Sequence, residues 1–119
     1  MREERGKISG DCKIDELYTL WGMIVGHVSV VEHGKLYLRG SIYGDLTVEY
    51  GGRVHIFGNL QGNLTVERGA KVIHSGVIGG DILNRGGRIF IELASKTMGK
   101  VKTKSGKTTF EEIQKFPHE

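Results

Sequence analysis

Glycine recurs in this chain at a step of eighteen residues. Gly22, Gly40, Gly58 and Gly76 form one series, and Gly26, Gly44, Gly62 and Gly80 a second. Aliphatic residues keep a step of six: Ile24, Val30, Leu36, Ile42, Val48, Val54, Leu60, Val66, Val72 and Ile78. A fixed period of about 20 residues is the signature of a solenoid. Within each six-residue segment apolar and polar residues alternate, as in Leu46-Thr47-Val48-Glu49 and Val54-His55-Ile56. That alternation describes a strand with one buried face. A helix fits badly, because each interior glycine costs a helix roughly 0.5–1 kcal/mol relative to alanine.

The expected fold is therefore all-β: a single-stranded parallel β-helix, or triangular β-solenoid. Each coil takes eighteen residues in three strands, and coils stack about 4.8 Å apart. Right-handed winding is favoured over left-handed. Glycines are expected at the corners, where bent or left-handed backbone is needed. Inward columns follow by adding eighteen: Ile24, Ile42, Leu60 and Ile78; Val28, Leu46, Leu64 and Ile82; Leu36, Val54, Val72 and Ile89, the last after one residue is lost near Asn84.

The pattern divides the chain into a β-helix of about five coils, 7–92, and a basic tail, 93–119. The first coil copies the later ones but has a corner two residues shorter, at Asp15-Glu16. Residues 1–6 read as a loose charged lead-in. After Glu92 the pattern fades, although Met98–Thr103 could supply one more strand. Thr108 and Glu111 have capping-box spacing. Phe110, Ile113 and Phe116 fall near one helical face, and Pro117 follows. A short capping helix is expected around 108–116, lying over the last coil, since terminal repeats need their edges covered.

Charge supports this division. The net charge is +3; residues 93–119 hold six lysines against three glutamates, and the rest of the chain is balanced. One cysteine, Cys12, excludes an intramolecular disulfide and points to a reducing compartment. It falls on an inward position, where a thiol is a small hydrophobe. The start MREERGKISG has no apolar run, and no segment reaches the 18 or so apolar residues of a membrane span. The expected location is cytoplasmic.

Two surfaces are candidates for function. An outward column runs Tyr37, His55, Ile73 and Phe90, beside a ladder of cations, Lys35, Arg53, Lys71 and Arg88. Such a stripe is a contact surface for a protein partner. An anionic polymer is disfavoured by the neighbouring line Glu32, Glu49 and Glu67. The second surface is the first coil, with Ile8, Cys12, Ile14 and Leu17, for which no N-terminal cap is evident. The Lys96–Lys107 run is a weaker candidate for nucleic acid or an anionic membrane surface.

Chemistry is not signalled. The five histidines, His27, His33, His55, His74 and His118, share no column with one another or with Cys12 in a way that gathers three or four metal ligands. His74 takes an inward place. No nucleophile is forced beside a base. Ser105-Gly106-Lys107-Thr108 ends like a phosphate loop but lacks its preceding glycine and strand context. No cofactor, small-molecule substrate or enzymatic activity is expected.

The stretch GSIYGDLTVEYGGRVHIFGNLQGNLTVERGAKVIHSGVIGGDI resembles the bactofilin domain of polymer-forming bacterial cytoskeletal proteins, over roughly Lys7–Glu92. The resemblance implies a right-handed triangular β-helix that joins end to end into filaments without nucleotide, as a scaffold for envelope or polarity proteins. The six-residue step also resembles hexapeptide-repeat acyltransferases, which are left-handed. Those place a small residue after each aliphatic, where this chain has Val25, Tyr43, His55, Gln61 and Glu67. Three functions are thus open: an end-to-end scaffold, a monomeric protein-binding module of inhibitor or immunity type, and an acyltransferase-like enzyme with His55 as its only outward candidate base.

Overall fold

The structure, a computed structural model, describes residues 2–113. Every regular element among them is a β-strand. The strands wind into a parallel solenoid of about six coils with three faces.

Face A stacks β2 (Lys7–Ser9), β5 (Met23–Val25), β8 (Ser41–Tyr43), β11 (Asn59–Leu60), β14 (Val77–Ile78) and β16 (Lys96–Thr97). Face B stacks β3 (Cys12–Ile14), β6 (Val28–Val30), β9 (Leu46–Val48), β12 (Leu64–Val66) and the first parts of β15 (Ile82–Ile91) and β17 (Val101–Phe110). Face C stacks β1 (Arg2–Glu4), β4 (Leu17–Leu20), β7 (Lys35–Leu38), β10 (Arg53–Ile56), β13 (Lys71–His74) and the second parts of β15 and β17.

The register is the one the period dictates. Lys35, Arg53 and Lys71 pair in sequence, eighteen residues apart. The first coil is shorter, since Cys12 pairs with Val28. The expected inward columns are the core: Ile24, Ile42, Leu60 and Ile78 are wholly buried, as are Leu46, Leu64 and Ile82.

The glycines serve two purposes. Gly51 and Gly69 have φ of 77° and 78° at the corner before face C, the left-handed backbone that glycine tolerates best. Gly22, Gly40, Gly58 and Gly76 do not. There the backbones of successive coils approach so closely that a Cβ on Gly40 would collide with the Gly22 carbonyl oxygen.

Asn84 explains the residue missing from the fifth coil. It occupies an inward column otherwise held by Val30, Val48 and Val66. Its side-chain oxygen accepts from the N–H groups of Gly86 and Gly87 at 3.0 and 2.9 Å, and its amide donates to Gly87 O and Thr108 Oγ1. A buried carboxamide thus stands in for backbone pairing and lets β15 turn the corner without a break.

Two expectations at the chain ends need correction. Residues 108–110 are strand, and no helix occurs among the described residues; 114–116 lie outside them. Pairing with β15 satisfies the backbone of β17 directly, as in Ile89 with Thr108 and Ile91 with Phe110. A helix nucleus fixes several residues for its first hydrogen bond, while β-branched threonines suit a strand. The lead-in is also ordered: β1 pairs with β4, Arg2 to Tyr18 and Glu4 to Leu20. The strand ladder therefore runs from Arg2 to Phe110, beyond the 7–92 span.

Candidate functional site

The side candidate is built on face C and the corner where it turns into face A. Tyr37 and His55 are neighbours in one outward column, their rings 6.5 Å apart. Phe57, two residues past His55, folds back so that the two rings stack at 3.7 Å and 20°. Phe57 also lies 6.4 Å from Tyr37. Ile73 and Phe90 continue the column at the far end of the face. Phe90 is exposed, and no ring stacks on it among the described residues. The structure thus gathers Tyr37 and His55 and leaves Phe90 apart.

The corner column Trp21, Arg39 and Phe57 was not expected. The Arg39 guanidinium lies 5.2 Å from the Trp21 ring centroid and 4.2 Å from that of Phe57. Arg5 covers Trp21 at 5.1 Å, and Lys35 covers Tyr37 at 5.1 Å. Cation and aromatic therefore alternate along the corner, each contact worth about 0.5–1 kcal/mol at an exposed site. The signal was present in the sequence, because Trp21, Arg39 and Phe57 each precede a glycine of the first series.

Lys35, Arg53, Lys71 and Arg88 form one row, which Lys107 extends. None of the five makes an ion pair within the described residues. Glu67, in the acidic line beside them, pairs instead with Arg85 at 3.6 Å.

Burial lowers the pKa of His55 from the ordinary 6.5, opposed by Glu92 and reinforced by Arg39 and Lys35. Its Nε2 is 2.9 Å from Ser75 Oγ. Here a histidine meets a hydroxyl, and the ring is stacked against Phe57. His74 is wholly buried, with Nε2 near the Lys96 carbonyl and Thr97 Oγ1 and with Nδ1 unpartnered. No group of three metal-binding side chains occurs among the described residues. Burial, then Asp11, pushes the Cys12 thiol up, so it is not an activated nucleophile.

The end candidate comprises the two terminal coils. At the leading end β1, β2 and β3 have no partner on their outer edges. Ile8 and Cys12 are half-buried there, Ile14 is buried, and Leu17, in the outward column of Lys35 and Arg53, is exposed. At the trailing end β16 and β17 are likewise unpaired on their outer edges among the described residues. The open mouth of the core is lined by Ile91, Leu93, Thr97, Val101 and Phe110. Leu93, Met98, Phe110 and Ile113 are all more than half exposed.

A column of hydrogen-bonding side chains connects the two ends. Asp11 Oδ1 accepts from His27 N–H, His27 Nδ1 from Asp45 N–H, and Asp45 Oδ1 from Asn63 N–H. Asn63 Oδ1 then accepts from Asp81 N–H, and Asp81 Oδ1 from Lys100 N–H. Each side chain holds the coil that follows it. Lys100, which carries no acceptor, ends the series.

Comparison with protein families, with curated proteins and with solved structures found no match in any of the three.

Proposed function

We propose that the chain is a non-enzymatic scaffold, a right-handed β-solenoid that assembles end to end in a reducing, cytoplasmic setting. The observation that carries this reading is that, among the described residues, both terminal coils present open parallel strand edges, with apolar side chains at the trailing mouth. Edge strands of this kind template pairing with another chain unless they are blunted. The strand at Val101–Phe110 stands where the expected capping helix would have begun, and this supports the reading. The bactofilin-like cadence supports it independently.

Negative-stain imaging of concentrated protein tests the proposal. Rods one solenoid wide and many times the length of a single chain are expected. Uniform single particles at every concentration would overturn it.

The Trp21–Arg39–Phe57 corner with Tyr37 and His55 favours a second role, as the lateral face on which a protein client docks. Rigid aromatics and arginines are the residues enriched in binding hot spots. A Tyr37→Ser, Phe57→Ser double variant should lose client capture while melting as the wild type does. Undiminished capture would reject the role.

A further inference from the structure

We infer that β1 is a displaceable latch, and that two copies join by strand exchange. The segment Lys107–Phe110 of one copy takes the place of Arg2–Glu4 on the next. This inference rests on the end-to-end reading above and specifies its junction.

Among the described residues the solenoid starts on face C with β1 and ends on face C with the second part of β17. Faces A and B therefore carry six strands each, and face C carries seven. A seamless junction needs a whole number of coils. If β1 of one copy sat on β17 of the other, faces A and B would each be left one strand short. Removing β1 leaves six complete coils. β2 then meets β16, β3 meets the first part of β17, and β4 meets its second part.

The replacement fits better than what it replaces. β1 pairs Arg2–Glu4 with Tyr18–Leu20 of β4. Lys107–Phe110 offers four residues, in the same register that it uses on β15. In the column of Leu20, Leu38 and Ile56, β1 places Glu4 next to the wholly buried Leu20, and the Glu4 carboxylate turns to accept from the Gly6 N–H. Phe110 occupies that same column at the trailing end and is 54% exposed. Exchange sets Phe110 on Leu20 and buries apolar area there in place of a polar side chain. The Trp21 and Gly22 N–H groups, which donate to the Glu4 carbonyl, would find the Phe110 carbonyl instead. Arg39 and Gly40 already make this pair of bonds to Leu20.

The polar column agrees. The junction places Lys100 of one copy against Asp11 of the next, joining the cation that ends the series to the carboxylate that begins it. Face A and face B also bring Lys96 to Lys7 and Lys102 to Lys13. These like charges oppose joining, so salt should promote it.

The test uses the native Cys12. In the proposed register Val101 of one copy stacks on Cys12 of the next, with Cα atoms at the strand spacing of about 4.8 Å, within disulfide range. The full-length Val101→Cys variant, oxidised mildly while assembled, should give a ladder of disulfide-linked oligomers, each bond joining the introduced thiol of one copy to Cys12 of the next. Wild-type protein should not. An Ile8→Cys, Thr97→Cys pair in a Cys12→Ser background reads the same register on face A. Assembly should also shift the emission of Trp21, since leaving β1 frees its indole N–H from Glu3 and its ring from Arg5. Chains that assemble by light scattering yet form neither disulfide overturn the latch and leave the scaffold standing. Cys12 to Cys12 bonds would mean joining leading end to leading end and also overturn it. Chains that never assemble remove both.

Discussion

His33 shows what a single corner position demands. It stands in the corner column of Gly51 and Gly69 and has φ of 71°, the one non-glycine residue with positive φ among those described. The left-handed region costs an L-residue about 1–2 kcal/mol, partly offset by the unfolded-state entropy of a glycine. His33→Gly should therefore stabilise the fold by about 0.5 kcal/mol, read as a higher denaturation midpoint. In the core, Leu60→Ala should cost about 2–5 kcal/mol, the range for truncating a wholly buried leucine.

The two perturbed histidines set the pH response. Burial lowers both His55 and His74 below 6.5, with Glu92 opposing in each case and the Lys96 backbone bond also opposing at His74. The unfolded chain then binds more protons than the folded one below that value. Stability from this source is complete above pH 6.5 and falls as the pH drops towards the folded values. Thermal melts from about pH 7.5 to about pH 5 should show a declining midpoint. His74→Ile, which copies Ile56 and Ile91 in its column, should flatten that decline. An unchanged slope would move the effect elsewhere.

At the scale of elements, the columns were legible because inward aliphatics must repeat wherever coils stack. Ile42, Leu60 and Ile78 could be placed on one face from the period alone. The chain ends were not legible, for a physical reason. Thr108, Phe110 and Glu111 satisfy a helix-start pattern and a strand pattern equally, and only the open edge of β15 decides between them. Arg2–Glu4 carries no aliphatic at all, so its pairing with β4 leaves no hydrophobic signal. The side surface was legible in part. Tyr37 and His55 follow from the eighteen-residue step, but the fold-back of Phe57 depends on a corner geometry that period alone does not supply. Asn84 belongs to this scale too. Asn84→Val would restore the valine column yet strand the N–H groups of Gly86 and Gly87, at a cost of about 1–3 kcal/mol. Its readout is the denaturation midpoint, and a gain in stability would refute the role assigned to the carboxamide.

At the scale of the whole molecule, a solenoid is stable through its neighbours, and its ends are where that support stops. Among the described residues, the trailing coil presents exposed apolar side chains and the leading coil a short charged strand. The rows of cations along its outer columns make joining sensitive to ionic strength. Association should strengthen between low and physiological salt, as the Lys96–Lys7 and Lys102–Lys13 approaches are screened. Light scattering behind size exclusion, across a wide range of loading concentrations, tests the assembly directly. The account predicts a mass that climbs with concentration through multiples of the 13.2 kDa chain without settling on one closed oligomer. A constant 13.2 kDa species at the highest concentration would contradict it.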